Sequence, residues 1–483
     1  MKIGIIGGMA LSVLLPAVAL ANDGESLLGF TAEDIARGQV NETADRASSA
    51  AVIRTTSRGS VEILGFRYRG NSSFMVADRL EVMPAGELIL EGGSFIGIES
   101  GKGISSYAHA EFSSAALLER IMSDKSCVPL TDGGKGSTAL GEAAFTGMLL
   151  ETPPSAVGMT DFPIGPKGSE NIGLDVVNVS FAGIDDLDCF MITSFDATGI
   201  SAVAADGTRG SAGAISAQAN LLPEAGAPYT LQVSVDDLVT RSAEGAELMG
   251  ATGTELSITV DEKIIDGVRN LPELEGEKVV PEIAQILAQG NFGLSYSIEG
   301  LYFPLGELLS ETQRARIGAM GDEVIRGDQV ASISSSGDRL SVVSDTSYDG
   351  LVDSHFELGL VITPDGNGTS ALAMTGGHPA GLILPYLQLE GLEFSVDDKG
   401  LWDLVEGGTG ESPESHLSSL TPMLRQGPAE VTGPVIAWME GIARDGHGGV
   451  TMNPLEPIGF MDIMMGAMMN PGGLGRMLSI EAH

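Results

Sequence analysis

The chain has 483 residues, 43% of them apolar and 19% charged, which gives enough apolar content for packed cores and too little charge for a disordered chain. Asp and Glu number 65 against 26 Lys and Arg, a formal net charge of −39, so the surface repels phosphate backbones and anionic headgroups, and no nucleic-acid partner is expected. This length exceeds one ordinary core and predicts about two to four domains.

The N-terminus reads as a secretory signal peptide over residues 1–21. Lys2 supplies a positive start, Ile3 to Leu20 is apolar, and Ala19-Leu20-Ala21 forms an A-x-A cleavage site before Asn22 and Asp23. An uncleaved anchor helix is the alternative, because the apolar run just reaches spanning length, although Gly7, Gly8 and Pro16 suit it poorly. No other apolar run is long enough to span. The expectation is a periplasmic, bacterial protein without a transmembrane span once processed.

Residues 22–152 read as an N-terminal α+β domain. Thr31 caps a short helix, with Asp34 placed as in a capping box and Gly38 ending it. Alternation begins near Val61. Phe74, Val76, Leu80 and Val82 mark one strand and Leu88, Leu90 and Phe95 the next, with turns at Pro84 to Glu87 and at Gly92-Gly93. Tyr107 to Lys125 reads as an amphipathic helix, Gly133 to Ser137 as a loop, and Thr138 to Leu150 as either helix or strand. Cys127 and Cys189 are the only cysteines. In an oxidising compartment they predict one disulfide, closing a loop of about sixty residues and adding about 4 kcal/mol by chain entropy; two buried thiols are the alternative.

Pro153 to Ser169 has no period and reads as a linker or long surface loop. A central β-rich domain with helices follows over 170–364. Val177, Val179 and Phe181 lead to Gly183, and Phe190, Ile192 and Phe195 to Gly199. Tyr229 to Val235 and Leu256 to Val260 are further strands, with a helix expected from Leu238 to Met249 between them. Val279, Val280, Ile283, Ile286 and Leu287 have helical spacing, and Gly290 closes that helix. Phe292 to Gly300 then alternates. A second helix is expected near Leu305 to Arg316, and a meander over Val330 to Ile362 with turns at Gly337-Asp338 and Asp349-Gly350. Residues 365–483 form a C-terminal α+β region with a Met-rich helix. It contains a strand from Leu387 to Phe394 turned at Asp397 to Gly400, an acidic loop over Glu406 to Ser415, a helix at Leu417, Leu420 and Leu424, and short apolar pieces at Pro434 to Ile442 and Val450 to Leu455.

A glycine recurs near the ends of alternating runs, at Gly183, Gly300, Gly391 and Gly441, each followed by an aliphatic residue. Either a duplicated helix-then-strand unit or the habit of glycine at strand ends produces this pattern. The fold class predicted is α+β and strand-dominated, with curved antiparallel sheets and helices packed on one face. The layout resembles large envelope proteins of the AsmA-like and YdgA-like kind, a likeness of architecture that rests on no motif.

Catalytic signatures are missing. No serine has the two glycines of a hydrolase elbow; Gly199-Ile200-Ser201-Ala202-Val203 has one. Gly134-Lys135-Gly136-Ser137-Thr138 lacks the earlier glycine of a phosphate loop, where Leu130 stands. The histidines, His109, His355, His378, His416, His447 and His483, are scattered singly, without zinc spacing. Asp185, Asp186 and Asp188, and the stretch Asp365-Gly366-Asn367-Gly368-Thr369, offer oxygen ligands but do not fit a calcium loop. No cofactor is expected.

The least usual composition lies in the last helix. Met461, Met464, Met465, Met468 and Met469 share one helical face, and Asp462 is the sole charge between Phe460 and Met469. Such a helix is buried or docked, and methionine suits permissive apolar surfaces. The leading expectation is a non-enzymatic periplasmic protein that binds a lipid-like apolar ligand or an envelope partner through these methionines. A secreted hydrolase with a site assembled from distant residues, and an envelope scaffold without a small ligand, are the alternatives.

Overall fold

Hairpins of one design stitch the N-terminal strands together. In the computed structural model the turns at Thr56–Ser60, Met83–Glu87, Ala204–Thr208 and Ser242–Ala246 repeat one pattern. The first residue's N–H donates to the last residue's carbonyl at 2.8–2.9 Å, and a glycine N–H bonds back to the first residue's carbonyl. Those glycines, Gly59, Gly86, Gly207 and Gly245, have φ of 82–94°, the left-handed position that a three-residue hairpin loop requires. The structure describes residues 47–49, 52–69, 73–97, 104–122, 137–151, 169–184, 189–204, 206–223, 226–270, 279–304, 324–363, 384–425 and 427–483. Strands make up 60% of the described residues, and all described pairings are antiparallel.

The chain divides into two compact units, Met1–Ala225 with Tyr229–Leu256, and Gly226–Pro228 with Ser257–His483. Strands on either side of residues 152–168 and of residues 363–386 pair directly with one another, Ser137–Glu151 with Ser169–Ile184 and Val352–Ile362 with Leu387–Asp398.

In unit 1, β1 (Ala47–Ser49) and β2 (Val52–Thr55) both pair with β3 (Val61–Arg69). The strands then follow in chain order: β4 (Ser73–Val82), β5 (Leu88–Gly97), β6 (Ile104–Phe112), β7 (Ser137–Glu151), β8 (Ser169–Ile184), β9 (Cys189–Ala204), β10 (Arg209–Asn220) and β11 (Tyr229–Arg241). β12 (Glu247–Val260) completes this run of the chain. Phe66, Met75, Leu80, Leu88, Leu90, Val177 and Val179 are wholly buried, as are Leu117 and Leu118 of helix α1 (Ala115–Met122). Edge-on contacts of Phe145 with Tyr107 (6.1 Å) and Phe112 (5.6 Å) add to this core.

Every ladder from β3·β4 to β10·β11 is interrupted in the same row. Pairing on either side puts Gly65, Asp78, Gly92, Ala108, Gly147, Asp175, Gly199, Gly213 and Asp237 opposite one another in turn, and no ladder pair forms at these positions. Gly65, Gly92, Gly147, Gly199 and Asp237 have φ between 52° and 64°. Buried residues step by two along each strand but by three across the row: Ile63 to Phe66, Ala77 to Leu80, Tyr107 to Ala110, Phe145 to Met148, Leu174 to Val177, Ala197 to Ile200, Ala212 to Ile215. An extra residue in one strand would flip its later side chains to the other face. An extra residue in every strand, in register, keeps the apolar side chains together and creases the sheet.

The crease accounts for several corrections. A spacing of three imitates a helix. Tyr107 to Phe112 is therefore strand β6, and the expected helix over Tyr107–Lys125 shrinks to α1. Thr138 to Leu150 is strand β7. Leu238 to Met249 is not helical; it holds the end of β11, the Gly245 turn and the start of β12.

In unit 2, helices α2 (Glu262–Arg269) and α3 (Val279–Leu287) meet where a Cβ on Gly267 would lie 2.7 Å from Ile286. The meander follows as β13 (Asn291–Pro304), β14 (Val324–Ser336), β15 (Arg339–Tyr348), β16 (Val352–Ile362), β17 (Leu387–Asp398) and β18 (His447–Met452), with both glycine turns as expected. β19 (Ile458–Gly459) pairs with β17, and β20 (Ile480–Ala482) with β18. One face is apolar: Leu294, Ile333, Val342, Leu358, Leu392 and Met452 lie in a single cross-strand row.

Among the described residues five helices follow β17: α4 (Leu401–Thr409), α5 (Pro413–Leu424), α6 (Ala429–Asp445) and, after β19, α7 (Phe460–Met469) and α8 (Pro471–Leu478). Leu474 and Leu478 of α8 join Leu360, Leu389 and Ile458 in a buried cluster, with Phe460 and Ile463 of α7 against it. Trp438 of α6 meets Phe394 edge-on at 5.6 Å and donates from Nε1 to the Gly448 carbonyl at 3.1 Å. The acidic loop expected over Glu406–Ser415 is instead the end of α4, its left-handed Gly410 cap and the start of α5. Pro434 to Ile442 is the middle of the 17-residue α6, since Pro434 near its start removes only one early hydrogen bond. Of the recurring glycines, Gly183 adjoins a strand end, Gly300 and Gly391 sit beside register shifts within strands, and Gly441 is helical. The signal peptide, the Thr31 helix, the Leu305–Arg316 helix, Cys127, Asp185 to Asp188, Asp365 to Thr369 and His378 lie outside the described residues.

Candidate functional site

The opposite face of the unit 2 sheet is polar, and alternation builds it. Asp353, His355 and Glu357 share one side of β16, and Glu393, Ser395 and Asp397 share one side of β17. Register aligns them with neighbours into cross-strand rows. One row runs Val330, Asp345, His355, Ser395, Gly449; the next runs Asp328, Ser347, Asp353, Asp397, His447; a third carries Glu357, Glu393, Thr451 and Glu481. A shallow open groove of about 300 Å³ lies over the first two rows.

The first two rows are internally paired. His355 Nδ1 donates to Asp345 Oδ1 at 2.7 Å, and His355 Nε2 is 4.0 Å from Glu357. Hydrogen bonding to Asp345 holds the His355 imidazole above the ordinary histidine range against the opposing effect of burial, with the charges of Asp345, Glu393 and Glu357 adding to the rise. His447 pairs with Asp397. Ser347 Oγ donates to Asp353 Oδ1 at 2.7 Å, and Lys399 pairs with the other oxygen; Lys399 first and Ser347 second hold the Asp353 carboxyl below its usual range. The final residue, His483, exchanges backbone hydrogen bonds with Gly449 at 2.8 and 3.0 Å, and its ring covers that glycine so closely that a Cβ there would collide with it.

These contacts are solvent-exposed, with His447 and Asp397 each more than half exposed. Surface pairs of this kind contribute about 0–1 kcal/mol. Among the described residues no group of three His, Cys, Asp or Glu is placed to hold a metal ion. The other histidines with described contacts are similarly peripheral: His109 Nε2 bonds Glu111 at 2.9 Å, and His416 lies 3.6 Å from Glu411. Scattered singly in sequence, His355 and His447 come together with carboxylates only through register. The period-two alternation of acid and histidine at 353–357 was the one local sign.

The methionines of α7 lie elsewhere in unit 2. Phe460 and Ile463 dock the helix on the buried cluster, and Gly466 lets Leu474 of α8 approach. Met461 and Met464 are half-buried. Met465 is 42% exposed and Met469 84%, while Met477 on α8 is 53% exposed and Leu455 before β19 is 98% exposed. The side chain of Met468 lies outside the described residues. Cys189 is buried beside Ala182, Ile184 and Met191. Among the described residues no helix is long and apolar enough to cross a membrane. Comparison with protein-family models finds no match, and comparison with curated proteins finds none either.

Proposed function

We propose that this chain is an exported, non-enzymatic binding protein that takes a lipid-like apolar ligand against helix α7. The observation that carries this reading is Met469, 84% exposed on a helix whose sole charge is Asp462. Thioethers left in water are flexible and polarisable, and they adapt to irregular apolar partners. Met465 and Met477 extend the exposed thioether surface, with Met461, Met464 and Met468 on the same helix. Helices covering one face of curved sheets belong to the same reading, supported by the contacts of α6, α7 and α8 with the apolar rows of unit 2. Export to a bacterial periplasm rests on Lys2, the apolar run from Ile3 and Ala19-Leu20-Ala21. A Cys127–Cys189 disulfide fits that compartment, and non-reducing peptide mapping tests it.

Titration of the processed protein with a fluorescent fatty acid tests the ligand. Saturable binding that weakens about tenfold in Met465→Gln/Met469→Gln supports the proposal. Binding unchanged in that variant, or no binding alongside cross-linking of α7 to an envelope protein, assigns the surface to something other than a lipid-like ligand.

A second reading, a hydrolase, is favoured by one feature. Ser395 lies directly opposite His355 in the ladder, and His355 is hydrogen-bonded to Asp345. Labelling of Ser395 by a fluorophosphonate, abolished in Ser395→Ala, supports that reading. No labelling removes it.

A further inference from the structure

The crease in unit 1 divides two sets of packed rows. On one side Phe66, Tyr107, Met148, Leu174 and Ile200 are buried, and on the other Ile63, Leu80, Leu90, Phe145 and Val177. Between them the backbone ladder is missing in each strand pair from β3·β4 to β10·β11. The row itself contains no side chain longer than aspartate, so little packing resists bending along it. Hinges in proteins are places where a few residues absorb a change in φ and ψ while the flanking bodies stay rigid. Here such residues are aligned across the whole sheet.

The carboxylates in the row are placed alike. Asp78 on β4 stands over Gly92 on β5, and Asp175 on β8 stands over Gly199 on β9, each so close that a Cβ on the glycine would collide with it. Asp237 lies over Gly213, with Oδ2 3.0 Å from where a Cβ would be. Unit 2 holds an independent instance that shows the bond such a pair makes: Gly300, with φ of 57°, donates its N–H to Asp328 Oδ1 at 2.7 Å, beside a register shift in β13·β14. In that pair an aspartate on one strand fixes a left-handed glycine on the next, and in unit 1 Gly92 and Gly199 are left-handed beneath Asp78 and Asp175, whereas Asp237 is itself the left-handed residue beside Gly213.

We propose that the row from Gly65 to Asp237 is a hinge line, about which the two halves of the unit 1 sheet change their mutual angle, and that Asp78, Asp175 and Asp237 jointly set that angle. The line acts as a unit because each strand shares its bend with both neighbours. Loosening one aspartate therefore loosens the row sideways, across strands, rather than the mutated strand along its length.

Hydrogen–deuterium exchange at single-residue resolution on the full processed chain tests this. In the unmodified protein, amides at Gly92, Gly147 and Gly199 exchange at least tenfold faster than those at Leu90, Phe145 and Ala197. Asp175→Ala raises exchange about tenfold more at Gly92, Gly147 and Gly213, on strands it does not touch directly or touches only through the row, and leaves Val179 and Phe181 of its own strand unchanged. Asp175→Asn, which keeps the shape and one accepting oxygen, produces the same pattern with smaller amplitude and covers the case in which the alanine variant fails to fold. Protection of the row equal to its flanks, or a rise confined to β8 or spread evenly over the chain in the Asn variant, overturns the hinge.

Discussion

Asp345 reaches across the β15·β16 ladder and holds the His355 ring through a 2.7 Å hydrogen bond, leaving the imidazole among Glu357 and Glu393. The native state therefore favours protonated His355. Because the folded pKa lies above the unfolded one, the stabilisation is fully present below about pH 6.5 and is lost as pH rises through the folded value. The ring is about one-third exposed, so solvent screening limits the effect to at most about 0.5 kcal/mol. The urea midpoint is expected to fall slightly between about pH 6 and pH 8 relative to His355→Gln, which loses this contribution. A midpoint that rises over that range relative to the variant contradicts the assignment.

The crease makes a steric prediction separable from backbone preference. Gly86 has φ of 94° and open space around it, whereas Gly199 has φ of 63° and the Asp175 carboxylate where a side chain would go. Gly86→Ala is expected to cost about 1 kcal/mol from the left-handed backbone alone, and Gly199→Ala about 2–3 kcal/mol. Adding Asp175→Ala to Gly199→Ala recovers part of the difference. Chemical denaturation of these three variants and of Asp175→Ala alone measures it, and equal losses at the two glycines contradict a crowded crease.

Arg79 ties three strands of unit 1 together. It bonds Glu62 at 2.7 Å and Glu91 at 3.0 Å and pairs with Glu81, while among the described residues Arg54 pairs with Glu62 alone. Glu62 is held below its usual range by hydrogen bonds from Arg54 first and Arg79 second. Arg79→Met is therefore expected to lower the melting temperature more than Arg54→Met. The contribution from Glu62 is present above its ordinary pKa of about 4.3 and lost as pH falls through the depressed value. The reverse order of melting temperatures shows that the network is not centred on Arg79.

Exposure orders the methionines for oxidation. Met469, Met423 and Met477 are 84%, 69% and 53% exposed, whereas Met75 is wholly buried and Met148 nearly so. Dilute hydrogen peroxide is expected to convert the first three to sulfoxides before the last two, as followed by peptide mass spectrometry. Sulfoxide on α7 also makes that surface polar, so fatty-acid binding is expected to fall as Met469 oxidises. Oxidation of Met75 at the rate of Met469 contradicts this packing.

Much of the fold was legible wherever one period governed a stretch. Phe292 to Ile298 and Phe356 to Ile362 alternate cleanly and are strands, and Val279 to Leu287 has helical spacing and is a helix. The turns at Gly337-Asp338 and Asp349-Gly350 hold because few sequences other than such glycine pairs fit them. Errors cluster at the crease, where Phe145 to Met148 and Tyr107 to Ala110 step by three in strands that bend together. A single sequence shows such a step as helix-like; the matching steps in the neighbouring strands explain it. The polar rows were hidden for a related reason. Asp345 and His355, or Asp397 and His447, meet only after register is set, which pairwise spacing along the chain does not encode.

Export and apolar-ligand binding, as proposed, stand or fall on what the native protein carries. Solvent extraction of the processed protein purified from its own envelope without detergent, followed by mass spectrometry, is expected to yield an apolar lipid near one-to-one stoichiometry, reduced in Met465→Gln/Met469→Gln. Recovery of no apolar compound, or equal recovery from the variant, contradicts ligand binding at α7.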